Sequence, residues 1–225
     1  FIFLFVLFGV VLETACGGKY FLDLAFAMVG KMRGGPAKAA ILGSGMTGLI
    51  SGSSIANTVT TGTFTIPIMK KTGFSKEKAG AIEVSSSVNG QLMPPVMGAA
   101  AFVMASFLGV TYFEVVKHAF LPAIISYVAL FYISHLEALK LNLKGMDDAD
   151  VPNLKKTFLS GLHFLIPIFV LVYMLVYLRF TASYSIFFAT IALIIVNFGY
   201  ILFKNQDFKV AIKTWFNQTI VGFEK

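Results

Sequence analysis

Residues 36–69 read PAKAAILGSGMTGLISGSSIANTVTTGTFTIPIM, an apolar stretch interrupted near its middle by small and polar residues, Ser51 to Thr58. Glycines flank the interruption and allow two short helices to pack closely on each other. Nonhelical backbone at membrane depth survives only where protein buries it or where it lines a water-filled cavity. The stretch therefore predicts a helical hairpin whose tip lies at a functional position.

A second interruption, Asn89 to Pro95, falls inside the apolar segment Ala79 to Leu108. Its two prolines remove two backbone donors and keep the preceding residues out of the helical region, which frees carbonyl oxygens. Side-chain oxygens are close by in sequence, on Ser85, Ser86, Ser87, Asn89 and Gln91. The two breaks together predict a neutral, oxygen-rich pocket for a small cation. The N–H end of the second hairpin arm, with its threonines, suits a carboxylate.

The composition sets the class of protein. The chain has 225 residues, of which 57% are hydrophobic and only 13% are charged, whereas a soluble domain carries about 25% charged residues. The mean hydropathy is +0.80. These values exclude a disordered chain, a collagen and a disulfide scaffold, and the long apolar runs predict an all-α polytopic membrane protein. The single cysteine, Cys16, permits no internal disulfide.

The distribution of charge predicts how the hairpin enters the membrane. The net charge is +7, and the basic residues cluster in short loops between apolar runs. If residues 36–69 enter and leave on one side, every lysine and arginine from Lys31 onward shares that side except Lys117 and Arg179. If residues 36–69 crossed the membrane completely, the basic residues would be divided more evenly between its two sides. The positive-inside rule thus favours a re-entrant hairpin with its basic side in the cytoplasm.

Acidic residues and sequence motifs indicate no catalytic centre. Glu83 and Glu114 each lie within a few residues of a span end, which favours an interfacial position for both. The chain contains no Gly-x-x-x-x-Gly-Lys-Ser/Thr loop, which argues against ATP hydrolysis by these residues. The stretch from Lys204 to Trp215 is typical of a membrane-surface helix rather than of nucleic-acid binding.

Four runs of residues resemble one family of membrane proteins. They are GGPAK at 34–38, ISGSSIAN at 50–57, GTFTIP at 62–67 and GQLMPPVMGAAAF at 90–102. Together they are similar to the large permease (DctM-like) subunit of tripartite ATP-independent periplasmic (TRAP) transporters. The last run resembles the branch whose small and large permease subunits are often fused and which works with a TAXI-type periplasmic binding protein.

The resemblance implies a multi-pass permease of the bacterial inner membrane that imports organic anions by Na+ symport. It implies an elevator-type transporter with inverted repeats, a re-entrant hairpin and a broken transmembrane helix. Na+ would be the coupling ion, with no organic cofactor. The implied partners are a TAXI-type solute-binding protein, a fused small permease subunit, an organic-acid substrate and the lipid bilayer, with no nucleic acid.

Motif positions assign candidate ligands to the two breaks, with no catalytic residue and no metal beyond Na+. The candidate Na+ ligands are Ser51, Ser53, Asn57, Gly90, Met93 and Pro95. The candidate substrate ligands are Ser54, Thr58, Thr61, Asn89 and Gln91.

The order of the segments predicts four parts. Residues 1–35 hold the end of a truncated transmembrane helix and a short arm helix, Tyr20 to Met32. Residues 36–111 hold the hairpin and the discontinuous helix, as half of a transport domain. Residues 112–206 hold scaffold or connecting helices, with clean spans at Thr157–Leu178 and Ser183–Phe203. Residues 207–225 form a truncated amphipathic interfacial helix. Since both ends look cut, we expect a fragment that covers the first repeat of a longer permease.

Other functions stay open at this point. Another elevator-type anion transporter would not need a binding protein, and a non-transporting membrane scaffold would not respond to Na+. An intramembrane enzyme would need convergent acid, base or metal ligands at membrane depth, which the sequence does not offer. The sequence also leaves open whether H+ replaces Na+.

Overall fold

A computed structural model describes residues 2–205 of the chain, and no strand occurs within that range. The all-α prediction is therefore confirmed for this part, while the helix predicted at 207–225 lies outside it. The helices are α1 (Ile2–Thr14), α2 (Gly17–Val29), α3 (Gly35–Ser51), α4 (Ser54–Lys71), α5 (Lys76–Gly90), α6 (Ala99–Leu108), α7 (Tyr112–Lys140), α8 (Leu154–Ser160), α9 (Leu165–Val172) and α10 (Ala182–Asn205).

The hairpin predicted at residues 36–69 is formed by α3 and α4, which run antiparallel. Thr47 contacts Asn57 near the turn, and Ser44 contacts Thr61 one turn further along. Helix α5 packs against both arms: the Glu83 carboxyl group contacts the Thr65 hydroxyl of α4, and Gly90 meets Gly48 of α3. The hairpin and α5 therefore form one three-helix unit.

The two ends of this unit differ. We call the end that holds the hairpin turn the tip end. At the opposite end, which we call the base end, an apolar cluster joins both arms of the hairpin to α5 and to the C-terminus of α7. The cluster contains Ala37, Ala40, Met69, Phe74, Ala79, Ala138 and Leu143. The start of α3 and the end of α4 therefore lie at the same end, as the charge pattern predicts.

Ion pairs connect the helix ends and loops near the base end. Lys78 of α5 pairs with Glu137 of α7, and Lys71 lies 3.7 Å from Asp150 in the loop after α7. Asp148, in the same loop, accepts a hydrogen bond from Lys31 at 2.7 Å. This hydrogen bond lowers the pKa of the Asp148 carboxyl. These pairs are solvent-exposed or half-exposed, so each contributes little to stability.

In the part of the chain that the structure describes, two helices, α7 and the span Ala182–Leu202 of α10, are long and apolar enough to cross a membrane. Two further pairs qualify only as bent spans: α1 with α2, bent by 66°, and α8 with the segment Leu162–Tyr177, bent by 50°. A second apolar cluster joins α1, α9 and α10 through side chains that include Phe8, Leu171 and Ile186.

The prediction of a clean span at Thr157–Leu178 is wrong, because the chain bends at Gly161 between α8 and a 3-10 turn at Leu162–Phe164. A Cβ at Gly161 would overlap the Tyr20 ring of α2, so the bend follows from a close approach of two segments. A π-helical turn, Tyr173–Tyr177, ends the segment. The arm helix predicted at Tyr20–Met32 begins and ends three residues earlier, as α2.

Candidate functional site

The hairpin tip consists of two nonhelical residues, Gly52 and Ser53. Gly52 ends α3 with a φ of 57°, in the left-handed region that glycine enters without steric cost. Ser53 begins α4 as its N-cap, and its hydroxyl accepts a hydrogen bond from the Ala56 N–H at 3.3 Å. The sequence predicted a break of eight residues, so the prediction was too long at its C-terminal end.

The second break lies directly against this tip. Helix α5 ends at Gly90, and residues 91–98 are nonhelical until α6 begins at Ala99. A Cβ at Gly52 would overlap the carbonyl oxygen of Met97, and one at Gly98 would lie 3.1 Å from the carbonyl oxygen of Gly52. The side-chain amide of Gln91 donates a hydrogen bond to the Ser54 hydroxyl. The two breaks therefore meet backbone to backbone.

Most carbonyls that the prolines free have found donors. The Met93 carbonyl accepts from the Met97 N–H at 3.3 Å, and the Gln91 carbonyl accepts from the Gly98 N–H at 2.8 Å. Within the described residues, no N–H or O–H group donates to the carbonyls of Gly52 and Met97. Met97 also adopts a φ of 52°, which costs a residue with a side chain roughly 1–2 kcal/mol.

Helix α7 holds the 91–98 segment in place through Tyr112. Its hydroxyl lies 2.8 Å from the carbonyl oxygen of Pro95 and 2.6 Å from that of Val96, so one proton serves both acceptors. The Tyr112 ring stacks on Phe102 of α6 with ring centroids 4.4 Å apart. A carbonyl oxygen has two lone pairs, so Pro95 keeps an acceptor position beside this contact.

Asn57 joins the two hairpin arms one turn below the tip. Its side-chain NH2 donates to the Ser44 carbonyl at 3.0 Å, and its oxygen accepts from the Thr47 hydroxyl at 2.5 Å. The residue is buried, and Gly90 packs against it: a Cβ at Gly90 would lie 3.0 Å from Asn57 Nδ2. The Asn57 amide thus joins the two arms of the hairpin, while its oxygen keeps a second lone pair for another ligand.

The structure brings together some of the predicted site residues and separates others. Ser51, Ser53, Ser54 and Gln91 surround the contact between the breaks, with Asn57 and Gly90 immediately below. Thr61 lies deeper: it is buried, and its hydroxyl contacts Glu83 rather than the tip. Thr58 and Asn89 are half-buried. Met93 and Pro95 belong to the 91–98 segment, where their carbonyls already accept hydrogen bonds.

Glu83 is the feature that sequence reasoning misplaced. The side chain is fully buried rather than interfacial, since it lies where α3, α4 and α5 meet. Hydroxyl groups from all three helices face its two carboxyl oxygens; they belong to Ser44, Thr61, Thr65 and Ser87. The recurrence of hydroxyl residues at helical spacing in α4 was the available signal. Glu114, by contrast, is exposed in a capping box at the start of α7.

The chain matches, over residues 1–221, the family described as Tripartite ATP-independent periplasmic transporter, DctM component. It belongs to this family. The resemblance of the four motifs is thereby confirmed, and so is the membrane-transporter class. An intramembrane enzyme is no longer supported, because the named relatives below are transporter components.

Individual DctM-type relatives cover parts of the chain. A 91-residue segment is 37% identical to the C4-dicarboxylate TRAP transporter large permease protein DctM of Vibrio cholerae, covering 40% of this chain and 20% of that protein. The 2,3-diketo-L-gulonate TRAP transporter large permease protein YiaN of Escherichia coli is 23% identical over 158 residues, 70% of this chain and 37% of that protein.

A putative TRAP transporter large permease protein of Haemophilus influenzae is 26% identical over 154 residues, which cover 68% of this chain and 36% of that protein. The chain therefore spans between about a fifth and two fifths of the length of these DctM-type relatives.

Proposed function

We propose that this chain is the hairpin-bearing part of a permease that imports small organic acids together with Na+. The observation that carries the proposal is the direct contact between two broken helices. The Met97 carbonyl oxygen lies against Gly52, the Gly52 carbonyl oxygen lies near Gly98, and neither oxygen accepts a hydrogen bond from the described residues. Carbonyl and hydroxyl oxygens are the ligands that hard cations prefer. The names of the relatives, which include a C4-dicarboxylate and a diketo-gulonate permease, support an organic-acid substrate.

In this proposal Na+ occupies the tip first. The ligands are drawn from Ser51, Ser53, Asn57, Gly90, Met93 and Pro95, and the carbonyls of Gly52 and Met97 join them. A cation here ties the hairpin turn to the 91–98 segment, because it bridges oxygens from both. The ordered tip then presents the N-terminus of α4, with Ser54 and Gln91, to a carboxylate of the substrate. Thr58 and Asn89 lie beside this proposed substrate site. Thr61 lies deeper in the hairpin, where its hydroxyl contacts Glu83.

The proposed partners are a periplasmic solute-binding protein of the TAXI type and a small permease subunit, fused to the large one, in the bacterial inner membrane. The test is uptake of labelled organic acids by proteoliposomes that contain the complete permease. Uptake that requires both an inward Na+ gradient and the binding protein is expected. Uptake without the binding protein would instead favour another elevator-type transporter, and no response to Na+ would favour the scaffold alternative.

A further inference from the structure

Glu83 is an acidic side chain that is not among the proposed Na+ ligands. It sits in the middle of α5, its side chain is fully buried, and it faces both arms of the hairpin. Ionisable residues at membrane depth are rare because they are costly, and they mark ion or proton pathways more often than packing positions. The groups around Glu83 indicate whether it belongs to an ion pathway, to a proton pathway or to the packing of the helices.

The hydroxyls around Glu83 can serve a charged or a neutral carboxyl equally well. Thr65 Oγ1 lies 2.5 Å from Glu83 Oε2 and 3.0 Å from the carbonyl oxygen of Thr61, so its one proton can point to either acceptor. Thr61 has the same choice between Glu83 Oε1 and the Asn57 carbonyl, 2.7 Å away. Ser44 and Ser87 lie 3.4 Å and 3.3 Å from Oε1.

In the ionised state, the Thr61 and Thr65 hydroxyls donate to the carboxylate. In the neutral state, the Glu83 O–H donates to Thr65 Oγ1, and the Thr65 hydroxyl turns to the Thr61 carbonyl. Every polar group keeps a partner in both states, since each hydroxyl both donates and accepts. Gain of one proton from water converts the first arrangement into the second, with no other atom moving between molecules.

Among the described side chains, no positive charge compensates the carboxylate. Helices α3 and α4 present hydroxyls to Glu83, and α7 presents Tyr127, whose hydroxyl donates to the Ser86 carbonyl at 2.8 Å. Within residues 3–202 no lysine, arginine or histidine forms a hydrogen bond or ion pair with Glu83. The Lys38 ammonium group lies 3.0 Å from His135, and Lys78 pairs with Glu137. A buried charge without a partner favours the neutral form.

A metal cation fits this place less well than a proton. A cation would have to lie between its oxygen ligands at about 2.3–2.6 Å from each of them. Thr61 and Thr65 already contact the carboxyl oxygens at hydrogen-bonding distance, which leaves no space for an ion between them. A proton needs no such space.

We propose that Glu83 is a proton-binding site inside the hairpin unit, and that its occupancy controls ion-coupled uptake. The inference rests on the proposed transport function for its consequence, although proton binding itself can be measured separately. Because no cation among the described side chains contacts Glu83, the proposal assigns the packed arrangement of α3, α4 and α5 to the protonated form. Deprotonation places a charge among the three helices and loosens the hairpin, so uptake should fall as the pH rises.

The first test is infrared spectroscopy of the purified complete permease across a pH series. The wild type should show a C=O band of a buried carboxylic acid that disappears at high pH. Glu83→Gln should lack this band and Glu83→Asp should retain one with a shifted midpoint. The matched control is Glu77→Gln, an exposed acid on the same helix, which should keep the wild-type band. A band that persists in Glu83→Gln, or no titrating band in the wild type, would overturn the inference.

The second test is the pH dependence of uptake under a constant Na+ gradient. Wild-type uptake should fall by up to about tenfold per pH unit above the midpoint, as expected for one proton. The Glu83→Gln variant, which mimics the neutral form, should change by less than about twofold over the same range. Identical pH profiles for the wild type and Glu83→Gln would contradict a role in uptake.

The two proposals fail in different ways. A titrating Glu83 band in a permease without Na+-dependent uptake would refute the transport proposal and leave the proton site standing. Na+-driven uptake, with neither a titrating band nor a change of pH profile in Glu83→Gln, would refute the proton site alone.

Discussion

Gly52 is subject to two independent constraints at the hairpin tip. Its φ of 57° is unfavourable for any residue with a Cβ, and that Cβ would overlap the Met97 carbonyl oxygen. For alanine, the left-handed conformation alone costs roughly 1–2 kcal/mol. This cost reduces the population of the tip conformation described above by a factor of about 5–30. We therefore expect Gly52→Ala to lower Na+-dependent uptake by at least about fivefold.

The control for this substitution is Gly80→Ala on α5, where no atom apart from the neighbouring helix backbone lies within 4 Å of the added Cβ. It should leave uptake unchanged, and it should not weaken the helix because alanine favours helix over glycine. Equal uptake by Gly52→Ala and Gly80→Ala, at matched membrane levels, would mean that the contact with Met97 has no part in transport.

Single residues also mark where sequence reasoning reached its limit. The two breaks could be located from their glycines and prolines, because those residues act locally on the backbone. Asn57 was assigned to the pocket, yet its amide bonds to Ser44 and Thr47 across the hairpin. Glu83 was assigned to an interface because it lies near the end of an apolar run. Its burial depends on packing between three helices, which sequence distance does not contain.

Among the elements, the start of α4 shows why the first break is so short. Ser53 caps the helix, and the hydroxyls of Thr61 and Thr65 bond to carbonyls four residues earlier. Polar residues that suggest a broken chain are therefore accommodated inside a regular helix. Length and hydropathy predicted a span at Ser183–Phe203, within two residues of each end of α10. The bend at Gly161, in contrast, arises from contact with α2 and has no local signature.

Helix α7 supports the second break, and removal of one oxygen should weaken that support. Tyr112→Phe keeps the stacked ring but leaves the Pro95 and Val96 carbonyls without the hydroxyl donor. Loss of a partner for a buried acceptor costs roughly 1–3 kcal/mol. We expect a lower thermal unfolding temperature and a weaker apparent affinity for Na+ in uptake assays.

The matched control is Tyr132→Phe, which removes an exposed hydroxyl from the same helix. It should resemble the wild type in both measurements. If Tyr112→Phe unfolded at the wild-type temperature with unchanged Na+ affinity, the anchoring role assigned to Tyr112 would be wrong.

For the whole molecule, the antiparallel hairpin places residues before α3 and after α4 at the base end. We expect Arg33→Cys and Ser75→Cys, each in a Cys16→Ser background, to react with a membrane-impermeant thiol reagent only from the cytoplasmic side. Thr111→Cys, before α7, should react only from the opposite side, because α7 is long and apolar enough to cross the membrane. Labelling of Arg33→Cys and Ser75→Cys from different sides would show that α3 and α4 cross the membrane and would refute the re-entrant hairpin.

The central claim for the whole molecule is that the meeting point of the two breaks binds Na+. The most direct measurement is thermal unfolding of the purified complete permease against Na+ concentration, with choline at equal ionic strength as reference. A ligand that binds only the folded state raises its stability with concentration. Ser53→Ala and Ser75→Ala form a matched pair, since each serine caps a helix through a 3.3 Å bond but only Ser53 lies at the tip.

Both variants should lose a similar amount of basal stability, about 1 kcal/mol from the missing cap. The account predicts that Na+ stabilises the wild type and Ser75→Ala beyond choline, and that this difference shrinks in Ser53→Ala. Equal stabilisation by Na+ and choline in the wild type, or an unchanged Na+ response in Ser53→Ala, would contradict it.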